Sequence, residues 1–361
     1  MMSEGAKKNI LVLRYRFIGD TILTVPFLRN LRRAEPDAYI AWVVAPGSAE
    51  VVKGIPYVDE LIYWDPVTIH ADSRGTHRTL SAKLAFLREL RNRRFDKVYV
   101  LKRSLSSALM ALFTGAPKRV GFATEGRHLL LTTRVPYRKD RHEVENFLEV
   151  LRADGVEITD DYLECWTTPE EDAAAAEMLA AAEVSSEKGL VALHPFASIP
   201  QRGWHPENFA ALADLFRGQG LLPLVLGAPG DRRDFERVRE LFGAEIVDLV
   251  GKCTIRVTMA LLKRCALFIG NDSGVMHLAA AAGIPLVALF GPQSPVKFGP
   301  WSDKARVLYK AFDCSPCRQK FFTECAPSER MRPACIEAIR VEEVFREGMR
   351  LLDLHGVKQQ P

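Results

Sequence analysis

No stretch of this chain is apolar for the ~18 consecutive residues that a membrane-spanning helix needs. The longest candidate, Leu278 to Phe290, is interrupted by Gly283 and Pro285. The opening MMSEGAKKNILVLRYR has only a strand-sized apolar segment, Ile10 to Leu13, and no small-residue cleavage site after it. A cytoplasmic protein is expected, with its seven cysteines mostly reduced. Two nucleotide fingerprints are also missing. No Gly-x-Gly-x-x-Gly follows the first apolar strand, and no Gly-x-x-x-x-Gly-Lys-Ser/Thr occurs anywhere. Any phosphate must be held another way. The basic residues are scattered over many elements and not gathered with aromatics on one face, which argues against nucleic acid as a partner.

What is present suits two soluble domains. Hydrophobic residues make up 48% and charged residues 26% of 361 residues, enough apolar side chain for two cores. Charge is uneven: up to Asp160 there are 26 Lys/Arg against 19 Asp/Glu, and beyond it 23 against 26. A basic first half fits an anionic acceptor or an anionic membrane surface, although a solvated basic face would read the same way.

Short apolar runs alternate with amphipathic stretches along both halves. Strands are predicted at 9–14, 39–44, 60–63, 97–101 and 118–121. Helical patterns follow at 21–33, 80–93 and 104–113. A second alternation places strands at 190–194, 222–226, 245–249, 267–269 and 286–290. Near-continuous apolar strands such as ILVL fit parallel sheets covered on both faces. The expected fold is therefore α/β, with two Rossmann-like doubly wound domains facing each other across a cleft. The expected divisions are a domain over 1–165, a connection over 166–188, a second domain over 189–340 and a C-terminal helix within 341–361. The helix, Val341 to Leu354, could pack back on the first domain.

Three strand-to-helix loops carry candidate chemistry. In the first, Arg14 to Asp20, Gly19 permits a tight turn and Asp20 stands where a helix N-cap would. A carboxylate at the carboxyl end of the first strand could instead take a proton from an acceptor hydroxyl, and the two roles compete. In the second, HPFASIPQRGWHPE, Arg202 is a fork-shaped donor suited to a phosphate, and His194 reads first as a structural histidine. In the third, Asn271-Asp272-Ser273-Gly274-Val275 opens a helix that contains His277. The N–H groups of Ser273, Gly274 and Val275, with the helix dipole, could hold a diphosphate without a metal. An ordinary capped helix would look the same. Weaker features are Asp231 in a Gly-Ala-Pro-Gly-Asp turn, a candidate ribose contact, and Lys252 and Cys253 in DLVGKC, whose backbone could meet a nucleobase edge.

These loops, in this order, resemble glycosyltransferase family nine, the ADP-heptose lipopolysaccharide heptosyltransferases. The matching pieces are ILVLRYRFIGDTILTVPFLRNLRRAEPDA, LVALHPFASIPQRGWHPENFAALA and FIGNDSGVMHLAAAAGIPLVALFGPQSPVKFGP. The resemblance implies a GT-B fold and an inverting, metal-independent transfer, with the acceptor on the first domain and an ADP-sugar donor on the second. By position, Asp20 matches the family's general base. Arg202 stands where a Lys or Arg lies beside the donor phosphates, and His205 between Trp204 and Pro206 departs from the usual spacing. Asp272, Ser273, Gly274 and His277 match the donor-binding stretch, and Asp231 falls near an acidic ribose contact. The implied acceptor is an anionic lipid-linked core oligosaccharide at the inner face of the inner membrane, which would make the protein peripheral there. Another nucleotide sugar, or a sugar-nucleotide-binding protein without catalysis, is the alternative.

Cys314, Cys317, Cys325 and Cys335 stand apart from this pattern. Four cysteines so close in a cytosolic chain suggest a metal before a disulfide, but their spacing is not that of a common zinc ribbon, so a structural zinc site, reduced thiols without a ligand and a redox-labile pair at Cys314 and Cys317 all stay open. Catalysis itself calls for no cofactor.

Overall fold

The computed structural model describes residues 7–66, 75–124, 126–184, 189–243, 245–317, 325 and 332–356. It divides into two compact units, Met1–Tyr162 and Leu163–Pro361.

In the first unit, β1 (Asn9–Leu13), β2 (Tyr39–Val44), β3 (Glu60–Tyr63), β4 (Lys97–Val100), β5 (Lys118–Phe122) and β6 (Thr133–Val135) form one sheet ordered β3-β2-β1-β4-β5-β6. Every pairing is parallel. The run ILVL of β1 is buried because strands flank it on both sides and helices cover both faces. One core layer gathers Leu11, Leu13, Ala41, Val43, Val98 and Val100 under Phe86 and Leu90 of the helix Leu80–Asn92.

The second unit repeats the plan. Its strands are β7 (Leu190–His194), β8 (Leu222–Val225), β9 (Val247–Asp248), β10 (Leu267–Asn271), β11 (Leu286–Phe290) and β12 (Ala305–Tyr309), ordered β12-β11-β10-β7-β8-β9. They too pair in parallel. Counted within each unit, both sheets run 3-2-1-4-5-6. The chain therefore reverses its direction of winding between the first and fourth strands of each, where doubly wound sheets bind ligands at the carboxyl ends.

Two helices outside the strand repeats complete the second unit. The helix Pro169–Ala181, placed in the connection, is part of the second unit. Thr168 and Glu171 close a capping box at its start, and Arg256 of the helix Ile255–Leu262 grips Glu171 through Nε at 2.7 Å and Nη2 at 2.8 Å. The rest of that expected connection, 185–188, lies outside the described residues. The C-terminal helix Val341–Leu354 spends its apolar face on the second unit's own core, through Val344, Leu351 and Leu352. Gly348 permits this: a Cβ there would stand 2.9 Å from Phe216 and 3.1 Å from Leu267.

Candidate functional site

The chain leaves β1 through a strained turn. Arg16 and Phe17, neither a glycine, have φ of 84° and 60°. Such backbone costs on the order of 1–3 kcal/mol per residue and persists where the surroundings impose it. The turn starts the short helix Ile18–Ile22 with Phe17 as its N-cap, so Asp20 is its third residue and makes no cap bond. The N-cap role considered for Asp20 is thereby removed.

The Asp20 carboxylate forms an ion pair with Arg14, the residue just after β1, and both side chains are nearly buried. Burial is the main cause of a raised Asp20 carboxyl pKa; Arg14 opposes it, and Glu143 adds to it. Lys102, just beyond β4, contributes a third charge. Its ammonium lies 4.5 Å from the ring centre of Tyr15, and burial, then Arg14 and Arg16, lower it to about 7. Next to it Arg103 stacks 3.8 Å over Tyr137, whose hydroxyl donates to Glu143 at 2.5 Å. Buried Nε atoms of Arg14 and Arg16 have no hydrogen-bond partner among the described residues. A carboxylate able to accept a proton thus stands among cations with donor capacity to spare. Arg14, Lys102, Arg103, Tyr137 and Glu143 were not singled out from sequence. Lys102 and Arg103 could have been, because they follow the fourth strand at the same switch point as Asp20.

In the second unit the loops after β7 and β10 are stitched together. Asn271, fully buried at the end of β10, accepts from the Trp204 N–H at 2.9 Å and donates to the Phe196 carbonyl at 3.4 Å. Trp204 Nε1 donates to the Ile339 carbonyl at 2.9 Å, which fixes the loop against the C-terminal segment. Arg202 ends a 3₁₀ turn, Pro200–Arg202, and reaches Asp272 at 3.4 Å. Burial pushes the Asp272 carboxyl up to about 6 against the pull of Arg202. Ser273 is the N-cap of the helix Gly274–Ala281 but makes no side-chain cap bond; its hydroxyl lies 3.4 Å from His194 Nδ1 instead. Burial holds His194 down to about 4, so its ring is neutral at physiological pH, as a structural histidine would be. The helix therefore starts with N–H groups at Gly274 and Val275 that no cap side chain serves, a serine hydroxyl and an arginine. His277 is buried within the same helix.

The remaining candidates turn back on their own loops. The Asp231 carboxylate accepts from Ala228 N–H at 2.8 Å and closes its turn. Lys252 Nζ donates to the Asp248 carbonyl at 2.8 Å, and Cys253 Sγ to that of Leu249 at 3.5 Å.

The zinc expectation is not met. Among the described residues no three His, Cys, Asp or Glu side chains come together to hold a metal ion, and none of the seven cysteines is in a disulfide. Cys314 is exposed, Cys317 and Cys325 are half-buried, and Cys335 is buried. A Cβ on Gly291 would stand 3.4 Å from Cys335 Sγ. Burial pushes that thiol up to about 11, and the neighbouring Cys314 and Cys317 add to the shift.

The chain is similar to known proteins. Lipopolysaccharide heptosyltransferase 2 of Salmonella typhimurium is 29% identical over 311 residues, 83% of this chain and 87% of that protein. Lipopolysaccharide heptosyltransferase 1 of Pseudomonas aeruginosa is 25% identical and covers 93% of this chain and 96% of its own. Among solved structures, a family 9 glycosyl transferase from Veillonella parvula superposes with a TM-score of 0.82 at 28% identity, covering 96% of this chain and 97% of its own. An Escherichia coli heptosyltransferase solved with ADP shares the fold, with a TM-score of 0.70 at 20% identity and coverage of 95% and 99%. The two doubly wound sheets are those of these GT-B enzymes. The profile of "Glycosyltransferase family 9 (heptosyltransferase)" matches residues 83–325, and the chain belongs to that family of glycosyltransferases.

Proposed function

We propose that the protein transfers heptose from ADP-heptose to a hydroxyl of an anionic, lipid-linked lipopolysaccharide inner-core acceptor, with inversion and without a metal ion. The observation that carries this reading is the Asp20 site: a nearly buried carboxylate held by Arg14, with Lys102 close enough to shift with it. Asp20 accepts the hydroxyl proton as the acceptor oxygen attacks the anomeric carbon. The bond from that carbon to the β-phosphate oxygen breaks, and ADP leaves with the charge. Arg202 and the N–H groups of Ser273, Gly274 and Val275 meet that charge, and Asp272 orients Arg202. A single displacement inverts the anomeric centre and needs no second carboxylate. Arg14 and Arg16 Nε atoms remain as donors for acceptor anionic groups. In this reading Asp231 and the Lys252–Cys253 backbone lie along the nucleoside, and His277 backs the phosphate loop. The names of the relatives support the sugar and the acceptor, and the ADP-bound homologue supports the nucleotide.

The test is transfer from ADP-heptose to a heptose-deficient core acceptor, followed by mass spectrometry, with and without chelator, and with the product anomer assigned by NMR. An inverted product formed equally with chelator is expected. A retained anomer, a chelator-sensitive rate or transfer only from another nucleotide sugar would overturn the corresponding part.

A further inference from the structure

The helix Leu105–Phe113, LSSALMALF, is oriented against size. Its buried side carries Ser107, Ala108, Met110 and Ala111, and its exposed side carries Leu105, Leu109, Leu112 and Phe113. Those four positions recur at i, i+4, i+7 and i+8 and make one continuous stripe. A helix serving only its own core would turn the leucines inward. The neighbouring helix Leu80–Asn92 packs beside it and adds exposed Leu80 and Leu84, and the turn Arg127–Leu130 adds Leu129. These seven side chains are 38–75% exposed. One contiguous face with this many large apolar groups marks an interaction surface and not scattered surface leucines.

Charge identifies the occupant. From residue 75 to residue 134 the chain holds thirteen Lys/Arg and three Asp/Glu. Some of these cations are spent inside the unit, Lys97 and Lys118 on Asp154 and Arg93 on Glu60. Others flank the stripe. Lys83, Arg88 and Arg91 follow Leu80 and Leu84 on the same helical face, and Arg91 Nη1 donates to the Phe113 carbonyl at 3.4 Å, beside the last residue of the stripe. Leucines rimmed by cations match the boundary of an anionic bilayer: acyl chains take the apolar groups and headgroup phosphates the basic ones. A second copy of this chain would bring the same excess of positive charge against itself.

We infer that this face docks the protein on an anionic lipid surface. The stripe begins at the sheet end that carries Asp20: Ser107, in the first turn of its helix, meets the Tyr15 hydroxyl at 2.9 Å, and Lys102 lies three residues before Leu105. A lipid-linked acceptor would therefore reach Asp20 from the surface on which the protein rests; only this last step rests on the proposed function.

The experiment is co-sedimentation with vesicles of phosphatidylglycerol and phosphatidylethanolamine, against vesicles of phosphatidylcholine alone. It compares the parent with L109Q/L112Q and K83E/R88E. All four residues lie outside the Asp20 and donor sites, and melting temperatures confirm folding. The parent is expected to pellet with the anionic vesicles only and to be released by salt. Each variant is expected to lose at least ~10-fold in partitioning. Transfer to a lipid-free acceptor, measured on the same preparations, is expected to stay unchanged. Folded variants that bind vesicles like the parent, or a parent that binds none, would overturn the inference and leave the transferase reading intact. Vesicle binding without transfer to any acceptor would keep the docking face and sink the transferase reading. A lipid-free parent dimer that L109Q/L112Q converts to monomer in ultracentrifugation would reassign the face to self-association and overturn the inference.

Discussion

If Asp20 is the base, its charged neighbours set the pH at which transfer fails, and in opposite directions. A base works deprotonated, so the rate is lost as pH falls through its pKa. Burial raises that pKa first, Glu143 raises it further and Arg14 lowers it. The acid limb of kcat/KM should therefore lie above the ordinary carboxylate range. Neutralising Glu143 in Glu143→Gln should move it to lower pH, and Arg14→Gln should move it to higher pH. Removing the base in Asp20→Asn should cost ~10²–10⁴-fold in rate, or about 3–5 kcal/mol of barrier. Stability runs the other way. A carboxyl raised on folding contributes most at acid pH, and that contribution is lost as pH rises through the raised pKa, so at neutral pH the charge itself stabilises nothing. Asp20 caps no helix, and Asn keeps one acceptor for Arg14, so the variant should lose about 1 kcal/mol, or ~2–4 °C in a unit of this size. Asp20→Ala should lose more, about 3–5 kcal/mol, because it strands a guanidinium of which only 11% is exposed. The assay is transfer against pH together with melting temperature on each preparation. A folded Asp20→Asn that transfers within a few-fold of the parent, or acid limbs that move the same way in both neutralised variants, would refute the reasoning.

The donor side makes its own predictions. Gly274→Val should weaken ADP binding more than Ser273→Ala does, because its side chain intrudes where a phosphate approaches the helix N-terminus; calorimetric titration checks this. Arg202→Ala should weaken ADP binding and turnover together. Asp272, raised from 3.8 to about 6, contributes stability that is present below its unfolded pKa and lost as pH rises through about 6. Asp272→Asn should therefore melt higher than the parent at pH 8, by about 1–3 kcal/mol, with the gap closing toward pH 4.

Most of the fold was legible because buried parallel strands are written as continuous apolar runs. NILVL, YIAWVV, LVALH and LVALF appear as strands at or within a residue of where they are expected. The two missed strands lack that signature. TRV is three residues long, and ARVLY is an edge strand of the second sheet with no fully buried residue. The expected single helix over 21–33 is instead two, Ile18–Ile22 and Val25–Ala34, with Pro26 near the start of the second, where its missing N–H costs nothing. The C-terminal helix matches in extent, because its apolar residues recur at helical spacing, but that spacing does not say what covers the face.

The site residues divide along the same line. Asp20, Arg202 and Asp272 to Val275 were visible because each follows the first or fourth strand of a sheet ordered 3-2-1-4-5-6. The groups that give them their properties were not, because they arrive from elsewhere in the fold. Arg14 is adjacent in sequence, but Lys102 comes from the loop after β4 and Glu143 from a helix that starts after β6. In the second unit, Asn271 ties the loop after β10 to the loop after β7, 67 positions away. A local motif can name the residue that meets the substrate. Its protonation state and the rigidity of its loop depend on long-range contacts, which is why a carboxylate that resembles a helix cap in sequence is, in the fold, a nearly buried acid paired with an arginine and raised by burial and the charge of a glutamate.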